Sequence, residues 1–206
     1  APALAGEGKL KALVTDVRDE AERLNHDIQN LLDASRISSN GINPNMEWAD
    51  PADIIHSALE RCRRRLEGHP VTLDTAADLP VIHVDPVLIK QALVQVFDNA
   101  AKYSPPGAPI KVSAKDHDGH ISITVSDCGA GLTETDKARM WDRFFRGERH
   151  VATTSGSGLG LWIANAFVRA NEGRLIAASD GPERGSAITV ELPVAEVATI
   201  SVDSEA

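Results

Sequence analysis

The stretch IKVSAKDHDGHISITV, residues 110–125, decides the architecture. Ile110, Val112 and Ala114, then Ile121, Ile123 and Val125, are apolar at every second position, the period of a half-buried strand. Asp116-His117-Asp118-Gly119 between them carries the turn residues of a β-hairpin. A hairpin is antiparallel, which argues against a doubly wound parallel sheet.

The flanks alternate helix and strand. Asp50-Pro51 and Asp85-Pro86 each pair an N-cap residue with proline at the first helical position. The first opens a helix with Ile54, Ile55, Ala58 and Leu59 on its apolar face, the second one with Val87, Leu88, Ala92, Leu93, Val96, Phe97 and Ala100. Met46–Trp48, Val71–Leu73, Leu175–Ala177 and Ala187–Leu192 read as strands, and Leu161, Ile163, Ala164, Phe167 and Val168 as a helix. The sum is an α+β fold, a two-layer sandwich.

A different pattern precedes it. Leu10, Val14, Val17, Ala21, Leu24, Ile28 and Leu31 step alternately by four and three, the a/d seam of a coiled coil, which needs a partner helix. The pattern stops near Arg36, before Ser38-Ser39-Asn40-Gly41 and Asn43-Pro44. Residues 1–41 are therefore expected to be one coiled-coil-like helix, 42–194 the main domain, and 195–206 a poorly ordered tail.

Composition narrows the function. The chain has 206 residues, 42% hydrophobic and 25% charged, which suits one domain of roughly 150 residues plus an attachment. A net charge of −9 argues against non-specific nucleic-acid binding. Cys62 and Cys128 make no disulfide framework, no Cys/His spacing suits zinc, and no apolar run suits a membrane span. The basic run Arg61, Arg63, Arg64, Arg65 reads as a solvated helix face.

Three constellations carry chemistry. Asp127-Cys128-Gly129-Ala130-Gly131 follows a strand, and a carboxylate there, with glycines that admit a ligand close to backbone, suits a flat donor such as the adenine amine; a capped turn is an equal account. Gly156-Ser157-Gly158-Leu159-Gly160-Leu161 opens a helix whose free amides and dipole favour phosphate. It lacks the preceding strand and glycine spacing of a dinucleotide fingerprint, and the Gly-Lys-Ser/Thr end of a P-loop. Gln95, Asn99, Lys102 and Tyr103 share neighbouring parts of one helical face, where amide oxygens can complete a magnesium shell and a lysine can pair with phosphate; a solvated face is the plain alternative.

In this order the segments resemble the nucleotide-binding domain of bacterial sensor histidine kinases, within the ATPase family shared with gyrase B, Hsp90 and MutL. Gln95 to Pro105 is similar to the N box, Asp127 to Gly131 to the first glycine box, Trp141 to Arg146 to the phenylalanine box and Gly156 to Leu161 to the second glycine box. Gly181 to Val190 matches the final glycine and strand segment. Arg23-Leu24-Asn25 with Asn30 to Arg36 resembles the second helix of the dimerisation and phosphotransfer hairpin; with Glu47 to Pro51 it is most similar to the KdpD type.

The resemblance implies ATP and Mg2+ as ligands. Asp127 would take the adenine amine and Asn99 the magnesium, with Gln95 a further candidate; Lys102 and Tyr103 would meet phosphate and nucleoside. Gly129 and Gly131 would complete the pocket, Gly156, Ser157, Gly158, Leu159 and Gly160 would line the phosphates, and Gly147 to Gly158 would form a lid based on Phe144 and Phe145. It implies a response regulator receiver domain as partner, a homodimer through the N-terminal helix of a longer parent, and a cytosolic place within a membrane-bound sensor, without direct membrane contact by this chain.

Two residues depart from the pattern. His26-Asp27 lacks the basic residue and proline expected after a phosphoacceptor, so His26 reads as a solvated helix residue and the phosphoacceptor is expected before Ala1, leaving the chain unable to phosphorylate itself. Gln95 stands where the kinases usually carry Asn and the gyrase and Hsp90 branches carry Glu; lacking a titratable carboxylate, it disfavours efficient ATP hydrolysis. The expected function is a protein-histidine kinase core, the alternative a non-catalytic nucleotide-binding or docking module.

Overall fold

The computed structural model describes residues 2–76, 78–147 and 156–194. Most of the expected lid and the expected tail therefore lie outside the described residues.

A long helix, α1 (Pro2–Asn40), leads into β1 (Glu47–Ala49) and α2 (Pro51–Leu66). Then follow β2 (Val71–Thr75), β3 (Ile82–Val84), α3 (Pro86–Tyr103), β4 (Ile110–His117) and β5 (His120–Asp127). The short α4 (Glu134–Arg139), α5 (Gly160–Ala170), β6 (Arg174–Ala178) and β7 (Ser186–Pro193) complete the chain.

The two layers are as expected. Five strands run in the order β2-β4-β5-β7-β6, antiparallel except for β2, which lies parallel to β4. The apolar positions of the hairpin, Ile110, Val112, Ile121 and Ile123, are fully buried with Ile55 and Cys62 of α2, Ile89, Leu93 and Phe97 of α3 and Ile163 of α5. The turn uses Asp118 at φ 50° and Gly119 at φ 73°, the paired left-handed conformation that matches strand twist.

Both Asp-Pro starts behave as caps. The Asp85 carboxylate accepts from the amides of Val87 and Leu88 at 3.0 Å each and from Asn45 at 2.8 Å. Asn171, fully buried after α5, accepts from the Asp85 amide at 2.6 Å and donates to the Phe167 carbonyl at 2.8 Å. These bonds lock the start of α3 against the end of α5, and so fix the helix that carries Gln95 and Asn99 relative to the one that begins at Gly160.

The first helix ends at Asn40, inside the expected 1–41 and four residues past the point near Arg36 where the heptad pattern stops. Ser38 and Ser39 donate their hydroxyls back to the carbonyls of Ala34 (2.8 Å) and Ser35 (2.9 Å), so these turn formers are satisfied inside a helix. Gly41, at φ +70°, then ends it. Val14, Val17, Leu24, Ile28 and Leu31 of the seam are exposed, whereas Asn30, Asp33 and Ala34 are buried. The helix thus lies on the domain by a mostly polar face and leaves its apolar seam outward.

Candidate functional site

The site forms where α3 ends, α5 begins and α1 passes over both. A cavity of about 790 Å3 opens there, lined by Gln95, Asn99, Lys102 and Tyr103 of α3, by Gly156, Ser157, Gly158 and Gly160, and by residues of α1 and α2. A smaller pocket of about 70 Å3 is lined by Asp127, Gly131 and Ser186 and shares Asn99, Tyr103 and Leu161 with the first. Three constellations between residues 95 and 161 thus border two pockets that share lining residues.

The carboxylate at the pocket floor is held by three donors. Asp127 Oδ1 accepts from the amides of Gly129 (2.8 Å) and Ser186 (3.3 Å), and Oδ2 from the Ser186 hydroxyl at 2.6 Å. A carboxylate so satisfied keeps one orientation and retains lone pairs for a further donor. Gly131, at φ +62°, allows the Gly181–Gly185 loop to close over it: a Cβ there would lie 2.0 Å from the Gly181 carbonyl oxygen. The same loop donates the Glu183 amide to Ala130 (2.7 Å) and the Gly185 amide to Gly129 (3.1 Å).

The larger cavity favours anions. Arg18, Arg23, Arg64, Arg65, Lys102 and Arg146 line it against Asp27, Glu67 and Asp98, within a chain that is net acidic. Burial, and secondarily Arg146, hold the Lys102 ammonium below its usual range, opposed by Asp27 and Asp98. Burial first raises the Tyr103 phenol. The N-cap residue of α5, Leu159, has no polar side chain to cap the helix, and a helix start of this kind suits an anionic acceptor.

Two expected residues do not line either space. Leu159 is fully buried in the core, and Gly129 packs under Tyr103, whose carbonyl a Cβ would meet at 2.4 Å. Phe144 is 57% exposed with φ 63° and Phe145 lines the smaller pocket, so this pair is not simply core. Phe144 donates its amide to the Gly158 carbonyl at 3.0 Å, which ties the phenylalanine box to the second glycine box.

Helix α1 joins the site through residues that sequence reasoning passed over. Gln95 Nε2 donates to Asn30 Oδ1 at 2.7 Å, and Asn30 Nδ2 lies 3.1 Å from His26 Nε2. His26, expected to be solvated, is half-buried and sits 3.5 Å from Asp98, which Arg65 also holds. Arg143 donates to the Ser38 hydroxyl at 3.3 Å while stacking on Phe144 and Trp162. A polar helix face offers no apolar period to reveal such docking; the four-residue spacing of His26 and Asn30 was its one trace.

Asn99 and Gln95 present amide oxygens, hard donors suited to magnesium. Among the described residues no three His, Cys, Asp or Glu gather as a metal site, so an ion here would draw most of its shell from a nucleotide's phosphates.

The fold and site define a nucleotide-binding domain of the kind shared by kinases and ATPases. Residues 84–196 match the histidine kinase-, DNA gyrase B-, and HSP90-like ATPase family, and the chain belongs to it. It is 34% identical over 191 residues to the sensor protein KdpD of Escherichia coli, covering 92% of this chain and 21% of that protein. It is 33% identical over 177 residues to the sensor-like histidine kinase SenX3 of Mycobacterium tuberculosis, covering 84% and 43%. The solved structure of the mycobacterial sensor histidine kinase MprB superposes at TM-score 0.64 with 32% identity, over 72% of this chain and 97% of that one. The chain spans less than half the length of the two curated relatives. The expected KdpD likeness is present, and one of the same size to SenX3 accompanies it.

Proposed function

We propose that this chain binds ATP with Mg2+ and passes the γ-phosphoryl to a histidine outside residues 1–206, as the catalytic part of a sensor histidine kinase. The observation that carries this reading is that the triply bonded Asp127 carboxylate and the glycines at the start of α5 line two pockets that share Asn99, Tyr103 and Leu161. Adenine would sit at Asp127, its amine donating to the carboxylate, beside Gly131, Tyr103 and Ser186. The phosphates would lie along Gly156 to Gly160, on the α5 amides and Lys102. Magnesium, when bound, would neutralise developing phosphate charge; Asn99 and Gln95 are the residues placed to hold it.

In the transfer a P–O bond to ADP breaks, an N–P bond to the imidazole forms, and the imidazole proton leaves. Gln95 cannot take a proton from water as a carboxylate can, so hydrolysis should be slow. His26, near Asn30 on its own helix and Asp98 of the catalytic domain, is engaged against that domain, which supports a phosphoacceptor elsewhere. The exposed seam of α1 supports a homodimer of the parent protein through that helix, residues 1–41, apart from a catalytic domain of residues 42–194. A response regulator receiver domain would take the phosphoryl onward. No described helix is long and apolar enough to cross a membrane, which fits a cytosolic segment of a membrane-anchored sensor.

The test supplies a separate phosphoacceptor hairpin and γ-labelled ATP. Acid-labile, base-stable label on the hairpin is expected; tight ATP binding without any phosphohistidine would sink the kinase reading.

A further inference from the structure

Gln95 is one of the two α3 amides read as candidates for magnesium, and its surroundings bear on how that amide points. Glutamine carries its amide one methylene further out than asparagine and on one more rotatable bond, so the amide has more ways to point. Only its oxygen can ligate a cation; the NH2 group, a half-turn away, cannot. Gln95 is 9% exposed, and the two ends of its amide face different neighbours. Nε2 donates to Asn30 Oδ1 at 2.7 Å. Oε1 lies over the first residue of α5, where a Cβ on Gly160 would come within 2.6 Å of it, so the oxygen faces the phosphate end of the cavity.

Asn30 is itself held. It is 3% exposed, and its Nδ2 faces His26 Nε2 at 3.1 Å. In the His26 tautomer protonated at Nδ1, Nε2 is an acceptor, which leaves the Asn30 oxygen as the end presented to Gln95. Burial favours the neutral form of His26 against the pull of Asp98. In that tautomer the hydrogen-bond chain runs from Gln95 to Asn30 to His26.

We propose that Asn30 is a positioning residue: α1 supplies the acceptor that turns the Gln95 amide oxygen toward the phosphates, so the metal-binding face of the catalytic domain is completed from the helix before it. This rests on the reading of Gln95 as a magnesium ligand. Partners that orient metal ligands from behind contribute about 10–100-fold in metal affinity, and one neutral hydrogen bond belongs at the lower end of that range.

The experiment is calorimetric titration of the whole chain with ATP, once with magnesium and once with a chelator. Asn30→Ala should weaken magnesium–ATP binding about tenfold and leave metal-free ATP binding unchanged. Asn30→Asp, whose oxygen still accepts from Nε2, should recover most of the loss. Ser38→Ala, which loosens α1 at Arg143 without touching Gln95, should leave the magnesium dependence as it is. An equal loss with and without metal in Asn30→Ala, no loss, or a gain would overturn the proposal, as would a metal-selective loss in Ser38→Ala. Gln95→Ala separates the two ideas: if it keeps full magnesium dependence, the ligand reading falls and the proposal with it; if it loses that dependence while Asn30→Ala does not, the positioning role alone fails.

Discussion

Replacing Gly131 by alanine tests whether the Gly181–Gly185 loop closes the Asp127 pocket as described. Gly131 and Gly107 both adopt positive φ, +62° and +80°, so both alanine variants incur the left-handed backbone penalty, about 1–2 kcal/mol. They differ in what the new methyl meets. At Gly107 nothing lies within 4 Å, whereas at Gly131 the Gly181 carbonyl oxygen is 2.0 Å away and the amides of Glu183 and Arg184 are at 3.1 Å. Backbone must move there, and such overpacking costs about 1–3 kcal/mol more. Gly131→Ala should thus cost about 2–5 kcal/mol in total and Gly107→Ala about 1–2. In a chain of this size 1 kcal/mol moves Tm by roughly 2–4 °C, so thermal unfolding followed by circular dichroism separates the two. The displaced loop also carries Ser186 away from Asp127, so ATP affinity should fall in Gly131→Ala alone. Equal Tm losses in the two variants would refute the close approach.

Two further outcomes are expected. His26 has its pKa lowered in the folded protein, mainly by burial, with Asp98 and Asp27 opposing and Arg65 and Arg61 adding to the shift. The unfolded chain then binds the proton more tightly, so stability is full above about pH 6.5 and declines as pH falls below it; urea unfolding across that window should show a slope that His26→Gln flattens. The buried Cys62 thiol is pushed up to about 12 by burial and by Asp98, whereas Cys128 is exposed in the first glycine box. A thiol reagent at pH 8 should therefore modify Cys128 alone in the native protein and both cysteines in denaturant; fast reaction of both in the native state would contradict the packing of Cys62 under α3.

Features with a local cause could be read from the sequence. The hairpin and the two Asp-Pro caps each declare themselves within a few residues, and each stands where expected. The parallel pairing of β2 with β4 could not be read, because it joins Val71–Thr75 to Ile110–Ala114 across an intervening helix. Strand β3, Ile82–Val84, alternates buried, exposed, buried, but three residues are too few for a period to stand out in the sequence. The short α4 starts at a capping box of Thr133 and Asp136, where the acidic partner is Asp instead of the usual Glu or Gln. In the site, Asp127 was legible because a carboxylate beside glycines is unusual, while Ser186 was one hydroxyl in an ordinary strand. The second face of α1 was hidden for a different reason. Asn30 and His26 dock through Gln95 and Asp98, and polar residues on a helix look the same in sequence whether they meet water or another domain.

The central claim, that the space from Asp127 to Gly160 is an ATP site, is tested most directly by calorimetric titration of the chain and of Asp127→Asn with magnesium and ATP. In the variant the Gly129 and Ser186 amides can keep their acceptor on one side, but the other oxygen becomes an NH2 that cannot accept from adenine. A hydrogen bond to a charged group contributes about 1.5–3 kcal/mol, or roughly ten- to a hundredfold in Kd. Saturable binding by the wild type, weakened at least that far in Asp127→Asn with Tm little changed, is the predicted result. No binding by the wild type, or equal binding by both, would contradict it.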